Sequence, residues 1–383
     1  MSKRPDKTIH EVIIIGAGPA GLAAAGALQS INVPFLVLEQ EDDLAHSWRN
    51  HYDRLHLHTV KQHSALPHLP FPKHVGRYPS RAEVVAYLES YAEHFGIAPQ
   101  FGQMVIAARR RADMWEVKTE NDRFLAQSLI IATGYNNEPV IPDFPGLFDF
   151  SGSVLHSSIY KNGKTFAGKN VLVVGSGNSG AEIAIDLHEH GAKPWLVVRS
   201  PIHVIPRDVL GSPTQVTSIL FSYLPIWLAD TISNLMMRLV VGDLSRYGIR
   251  RPEIGPNRQI AEQGRIPMLD IGTVDLIKQG KIQVAPGVKS VSEGEVTFVG
   301  GSSLPFDAII LATGYRAGLD RFLEDADMLT DMRGYPRWHG RESAIPGLFF
   351  LGFRNPSTGM LREINIEARR IAHVIASRSM LSI

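Results

Sequence analysis

Six glycines at two matching spacings carry the first chemical signal in this chain. Gly16, Gly18 and Gly21 form one GxGxxG, and Gly175, Gly177 and Gly180 form a second. Such a turn suits a dinucleotide pyrophosphate on steric and electrostatic grounds. The first glycine permits the tight turn, the second lets the backbone approach the phosphates, the third lets helix and strand pack closely, and the helix N-terminus faces the negative charge. The next strand after each turn ends differently. The stretch "FLVLE" ends at Glu39, where an acid can bond a ribose hydroxyl. The stretch "PWLVVRS" ends at Arg199 and Ser200, where an arginine and a hydroxyl would hold a 2′-phosphate that an acid would repel. The first site therefore reads as taking the ADP half of FAD, and the second as taking NADPH.

The elements around these turns have the pattern needed to position them. Residues 12–15 are a β-branched run, read as a short buried strand, and an alanine-rich helix comes after the first turn. Residues 171–174 repeat that run before the second turn, with a helix expected through Glu182 and Leu187. Two further echoes, "LIIATGY" at 129–135 and "IILATGY" at 309–315, are apolar strands ending in Ala-Thr-Gly, and each is expected to mark a crossing between domains. The stretch "GLFFLGF" and the helical pattern after it would return the chain to the first domain. The predicted class is α/β, with two Rossmann-like dinucleotide-binding domains and the second inserted in the first. Residues 1–150 and 305–383 would form the FAD-binding domain and residues 151–304 the NADPH-binding domain.

Composition narrows the chemistry. Lys and Arg total 39 against 38 Asp and Glu in 383 residues, so no bulk field favours nucleic acid or an anionic membrane. The cysteine count is zero, which removes disulfides, cysteine zinc sites and a redox-active dithiol within the chain. The N-terminus meets a strand-and-glycine pattern where a signal peptide would need an apolar run and a cleavage site, so a cytoplasmic location is expected. An apolar segment at 219–241 approaches membrane-span length, but Pro225, Asp230, Asn234 and Arg238 interrupt it. It is read as a buried or substrate-lining helical pair, with a membrane-surface contact as the lesser alternative. Five histidines, His56, His58, His63, His68 and His74, have irregular spacings broken by prolines, so no metal is expected there.

Electrons drawn from NADPH through FAD can go to a thiol or disulfide, to a protein carrier, or to oxygen. The absence of cysteine removes the first. Between the two glycine turns, Phe150, Gly152, His156 and Tyr160 spell FxGxxxHxxxY. This stretch resembles the fingerprint of flavin-dependent monooxygenases that carry two nucleotide domains. Related Baeyer–Villiger oxygenases would place Trp at Tyr160, so the resemblance favours the flavin-containing (N- and S-oxygenating) and YUCCA-type branches. Gly152 would allow a close turn between domains, and His156 would orient the linker or bond a nucleotide.

Nearly the whole chain is similar to the YUCCA branch, through "YDRLHLHTVKQHSALP", "IPDFPGL", "GSGNSGAEIAIDL", "VVRSPIHVIPRD", "YGIRRPEIGP", "IPMLDIGTVDLIKQGKIQVAPGVKSV" and "LATGYRAGL". The tail "GFRNPSTGMLREINIEA" and the missing cysteines depart from that branch. The resemblance implies an NADPH-dependent oxygenase that inserts one atom of O2 through a C4a-peroxyflavin and converts indole-3-pyruvate to indole-3-acetate. Amine or sulfide oxygenation, and a reductase serving a protein carrier, remain the alternatives; a nucleotide sensor without turnover is a further rival. The resemblance places His58 near the reactive flavin carbon, with Lys61 beside it, and surface exposure is the plain alternative for both. Asn178 and Ser179 would bond the nicotinamide nucleotide. Pro19, Ala20, Gln40, Trp48, Thr133, Gly134 and Gly352 complete the expected cofactor contacts. Arg250, Arg251, Trp227 and Tyr223 are candidates for the substrate pocket. The partners implied are a small-molecule substrate and O2, with no nucleic acid and no membrane association; a homodimer is left open.

Overall fold

A computed structural model describes residues 8–381 of the chain, and the basic N-terminal residues 1–7 lie outside that range. The first half opens with β1 (Ile9–Ile15), α1 (Pro19–Gln29) and β2 (Phe35–Leu38). Helix α2 (Arg81–His94) is next, then a meander of β3 (Val105–Arg111), β4 (Met114–Thr119) and β5 (Arg123–Ile131). The second half begins with β6 (Ser153–His156), β7 (Asn170–Val174), α3 (Asn178–Glu189) and β8 (Lys193–Val197). It continues through α4 (Thr214–Phe221), α5 (Ile226–Val240) and α6 (Pro256–Gln263) to β9 (Gln283–Ala285) and β10 (Ala308–Leu311). Strand β11 (Leu348–Phe350) and helix α7 (Met360–Leu381) close the chain.

Each glycine turn sits at the carboxyl end of a parallel sheet. In the first sheet the order is β2-β1-β5-β4-β3, with β11 beside β5. Strands β2, β1, β5 and β11 run parallel, while β3 and β4 return antiparallel. In the second sheet the order is β9-β8-β7-β10-β6, all parallel. The apolar runs are continuous because both faces of these central strands are covered. In β1, Val12 and Ile14 pack among α1, α2 and α7, whereas Ile13 and Ile15 face the meander. Strand β7 repeats this division, with Val171 and Val173 on one face and Leu172 and Val174 on the other.

The two Ala-Thr-Gly turns come after the last strand before each crossing. Gly134 and Gly314 have φ of +95° and +86°, which glycine adopts freely. Just beyond them the crossings pair with each other, Tyr315 opposite Pro139 and Arg316 opposite Glu138. Past the sequence boundary near residue 305, β10 is hydrogen-bonded between β7 and β6 and carries the second sheet to Leu311. The stretch read as a linker is likewise an element of that sheet. Residues Ser153–His156 form its edge strand, and an edge exposed on one side tolerates polar residues such as Ser153.

The apolar segment 219–241 is the helical pair α4–α5, and among the described residues no helix is long and apolar enough to cross a membrane. Its interruptions have local causes. Pro225 caps the start of α5. Buried Asp230 accepts from the backbone N–H of Asn257 at 2.8 Å and of Arg258 at 3.2 Å, and so caps α6 from the neighbouring helix. Asp230→Ala should therefore destabilise the protein by about 1–2 kcal/mol, whereas Asp230→Asn keeps an acceptor and should lose less. Thermal unfolding checks both, and equal stability of wild type and Asp230→Ala would refute the capping role.

Candidate active site

Both glycine turns are built by the same contacts. A Cβ on Gly21 would lie 1.8 Å from the Gly16 carbonyl oxygen, and one on Gly180 would lie 1.9 Å from that of Gly175. Gly16 and Gly175 press in turn on the carbonyls of Ala132 and Ala312, at 2.6 and 2.2 Å from an added Cβ. These four glycines hold strand and helix together. The middle glycines differ, since a Cβ on Gly18 or Gly177 meets no atom within 4 Å. Each therefore borders an open space at a helix N-terminus, and a pyrophosphate fits that space. Glu39 is buried beside the first turn, where its Oε2 accepts from Ala17 N–H at 2.6 Å and its Oε1 from Glu41 N–H at 3.1 Å.

One cavity of about 690 Å³ joins the two halves. From the first half Gly16, Gly18, Pro19, Ala20, Glu39, Gln40, Trp48, Thr133, Gly134 and Gly352 line it, and Gly21 lies behind the turn. Among the described residues the Thr133 hydroxyl is buried there without a hydrogen-bond partner, as expected of a group that meets a ligand. Asn178 and Ser179 line it from the second half, while Gly175, Gly177 and Gly180 stand outside its wall. Asn178 Oδ1 accepts from Leu269 N–H at 2.8 Å, which leaves its amide nitrogen for a nucleotide.

Arg199 and Ser200 line a second, smaller cavity of about 310 Å³ together with Arg250. Ser200 Oγ accepts from Arg265 Nη2 at 2.8 Å. Sequence reasoning missed Arg265, which stands just before the "IPMLD" stretch; a strand end at position 200 does not reveal which distant arginine reaches it.

His58 lines the large cavity, and its Nε2–H donates to Glu182 Oε1 at 2.5 Å. Glu182 is 1% exposed, and among the described residues His58 is the hydrogen-bond partner of its Oε1 while its Oε2 is left without one. The pair spans the two halves, His58 from the segment after Tyr52 and Glu182 from α3. Backbone contacts hold the histidine segment, with Leu57 N–H donating to Pro79 O at 2.8 Å and Val60 N–H to Gln215 Oε1 at 2.8 Å. Gln215 also donates to Thr358 O at 2.8 Å and so ties α4 to the turn before α7. Nearby, burial and then the charge of Lys161 push the His51 pKa down to about 4, so this ring is neutral at physiological pH. Burial and the Glu182 carboxylate raise the Tyr52 phenol well above its usual range.

Lys61 departs from its expected place. Its ammonium donates to Lys73 O at 2.9 Å, Pro72 O at 3.4 Å and the Val75 carbonyl, so it holds the proline-rich loop and does not reach the cavity. The other histidines scatter: His56 bonds the Arg54 carbonyl, His68 meets Ser30, and His74 is exposed.

The fingerprint residues are structural. Phe150 is buried in the second core. A Cβ on Gly152 would lie 2.4 Å from Asp307 O, so glycine is required where the chain meets β10. His156 is buried, which lowers its pKa; Ser158 N–H donates to Nδ1 at 3.1 Å and Nε2–H donates to Gly314 O at 3.2 Å. It thus pins the second Ala-Thr-Gly turn, and it lines neither of the two cavities. Tyr160 donates to buried Asp186 at 2.5 Å. The four pocket candidates also lie elsewhere. Tyr223 and Trp227 are 79% and 69% exposed, Arg250 lies in the smaller cavity, and Arg251 bonds Gly242 O at the end of α5.

Comparison with known proteins agrees with this geometry. A family model described as pyridine nucleotide-disulphide oxidoreductase matches residues 13–209. The chain is 44% identical to the indole-3-pyruvate monooxygenase YUCCA1 of Oryza sativa subsp. japonica, over 92% of this chain and 88% of that protein. It is 40% identical to the probable indole-3-pyruvate monooxygenase YUCCA3 of Arabidopsis thaliana, over 97% and 87%. A flavin-containing monooxygenase structure from Stenotrophomonas maltophilia superposes with a TM-score of 0.73 at 23% identity, covering 96% of this chain and 98% of that one.

The two kinds of glycine give a paired prediction. Gly21→Ala should disrupt the fold, because backbone must move to admit the methyl group. Gly18→Ala should keep a cooperative transition within a few degrees of wild type but purify without yellow colour. Thermal unfolding and the visible spectrum check this, and a fully yellow Gly18→Ala protein would refute the cradle.

Proposed function

The chain belongs to the YUCCA family of flavin-dependent monooxygenases, and on that premise we propose that it converts a 2-oxo acid, indole-3-pyruvate first among them, to the acid one carbon shorter. The reaction consumes one NADPH, one proton and one O2, and it yields indole-3-acetate, CO2, NADP⁺ and water. The observation that carries this reading is one cavity lined by the first glycine cradle from one half and by Asn178 and Ser179, which follow the second glycine turn, from the other, in a chain without cysteine. The names of the YUCCA relatives supply the substrate.

The residues around the cradles fit the two cofactors. Gly18 and the α1 N-terminus would hold the FAD pyrophosphate, and Glu39 its ribose. Gly177 and the α3 N-terminus would hold that of NADPH, with Arg199, Ser200 and Arg265 at the 2′-phosphate. Bound FAD supplies the electron transfer from nicotinamide to oxygen. Asn178 and Ser179 orient the nicotinamide end, and the apolar surfaces of α4 and α5 keep water from the reacting atoms. The His58–Glu182 pair keeps a proton at His58 Nε2 at the junction of the two halves. We also take the second sheet, with the helices between its strands, as the NADPH-binding unit inserted in the FAD-binding one.

Labelled dioxygen should place one heavy oxygen in the indole-3-acetate carboxylate. Stoichiometric hydrogen peroxide, with no label in product for any 2-oxo acid, amine or sulfide tried, would overturn the oxygenase reading for this chain. Arg199→Ala should raise the KM for NADPH by roughly 10- to 100-fold, the effect of losing charge-assisted bonds of about 1.5–3 kcal/mol, and leave that for NADH nearly unchanged. Equal weakening of both cofactors would remove Arg199 from the phosphate site.

A further inference from the structure

Arg207 is the one lysine or arginine among the described residues lining the large cavity. Its guanidinium carbon lies 4.0 Å from the centre of the Tyr78 ring, stacked on that face. Its Nε donates to Asp208 Oδ2 at 3.2 Å, while neither Nη makes a hydrogen bond among the described residues. That orientation spends the inner edge of the guanidinium on the protein and leaves the two-pronged outer edge free, the edge that grips a carboxylate.

The support is built from several directions. Asp208 Oδ1 accepts from the Tyr78 hydroxyl at 2.6 Å, so phenol and guanidinium are held by one carboxylate. Burial and that hydrogen bond push the Tyr78 pKa up to about 12, and the phenol stays a neutral donor. Asp208 also faces Arg77 at 3.5 Å, so two guanidinium groups share one carboxylate and the local balance stays positive. The Arg207 backbone is fixed as well, its N–H donating to Asp270 O at 3.0 Å and its carbonyl accepting from Thr214 N–H at 2.9 Å.

This wall is continuous with His58. Gln215, next to Thr214, accepts from Val60 N–H, and Tyr78 lies between Arg77 and Pro79, whose carbonyls accept from Lys61 and Leu57 N–H. The elements that follow Arg207 in the chain bring Phe221, Met236, Val240, Ile260 and Ile266 to the cavity wall, with Thr217, Ser218, Ser233 and Asn257 among them, and Ile205 precedes it there. A single fixed cation at the edge of an apolar chamber matches an amphipathic anion. We propose that Arg207 is the anchor for the substrate carboxylate, and that it restricts the site to aryl or alkyl carboxylates whose apolar body fills the chamber. This rests on the proposal that the substrate is a 2-oxo acid.

The test uses the flavin-loaded holoenzyme as wild type, Arg207→Gln and Arg207→Lys, with flavin content and thermal midpoint showing that each is folded. Calorimetry measures the binding of indole-3-acetate and of its methyl ester. Wild type should bind the acid at least tenfold more tightly than the ester. Arg207→Gln should lose that preference, and Arg207→Lys, a charge without the fork, should keep part of it. The KM for indole-3-pyruvate should rise at least tenfold in Arg207→Gln, with the KM for NADPH and the anaerobic rate of flavin reduction unchanged. Preserved acid preference in Arg207→Gln, or its absence in wild type, overturns the anchor. A matching rise in the KM for NADPH does so too, by assigning Arg207 to the nucleotide. Should wild type turn over no 2-oxo acid yet bind acid over ester through Arg207, the anchor stands and only the reaction assigned to the site fails.

Discussion

A helix glycine pressed on the carbonyl of the glycine that ends the preceding strand is the constraint on which the rest of this molecule depends. It occurs twice, Gly21 on Gly16 and Gly180 on Gly175, and at both places a side-chain carbon would overlap backbone that has nowhere to go. Because the helix can sit this close, its first N–H groups reach the carboxyl edge of the sheet, where unpaired donors face open space. The empty side of Gly18 and Gly177 is a consequence of the crowding at their neighbours. Binding geometry is thus set by backbone packing, before any polar side chain contributes.

Two such units do not make an oxidoreductase unless they face one another, and hydrogen bonds and ion pairs between the two halves hold them so. The His58–Glu182 pair, whose carboxylate is buried, joins the segment over the first cradle to the helix of the second. Removing one partner of such a pair strands a buried polar group, which typically costs about 3–5 kcal/mol, so the pair fixes registration strongly even where its net contribution is small. Gln215 adds a neutral tie, bonding Val60 and Thr358 at once. His156 and Tyr160 act within the second unit, bracing its crossing turn and α3. These side chains divide the labour: buried ones hold the halves in register, and the cradles remain free for ligand.

The predictions on Gly18 and Arg199 come from features that sequence carries well. A glycine spacing, a β-branched strand and a strand-end charge are local, and both nucleotide folds are legible from them without any long-range contact. Edges and distant partners are not. Residues 150–160 read as a linker because they stand between the two glycine turns; nothing local says that β6 has a neighbour on one side alone. Lys61 and His58 stand three residues apart in one motif, yet one turns to loop carbonyls and the other to Glu182. Which of them reaches the cavity depends on residues 72–75 and on α3. The pocket is hidden for the same reason: Trp227 and Arg250 look suited to a substrate, but helical phase points Trp227 outward and the fold gives Arg250 to the smaller cavity.

The match to pyridine nucleotide-disulphide oxidoreductases and the complete lack of cysteine are compatible once the two tasks of the fold are separated. The glycine cradles would hold the two nucleotides, which would supply the electron transfer, and that task is indifferent to the final acceptor. The acceptor is decided by what lines the remaining space. Here residues between β8 and β9 supply it, a stretch of helices with apolar surface toward the cavity and one stacked arginine at its edge. An apolar chamber favours exclusion of water over exchange with it, which suits chemistry with dissolved oxygen better than electron transfer to a bulky, hydrated partner. On the domain reading proposed above, the unit that holds the second nucleotide motif also supplies α4, α5 and α6 to the cavity wall, and Asn178 joins the two, since its side chain accepts from the backbone N–H of Leu269 in that wall.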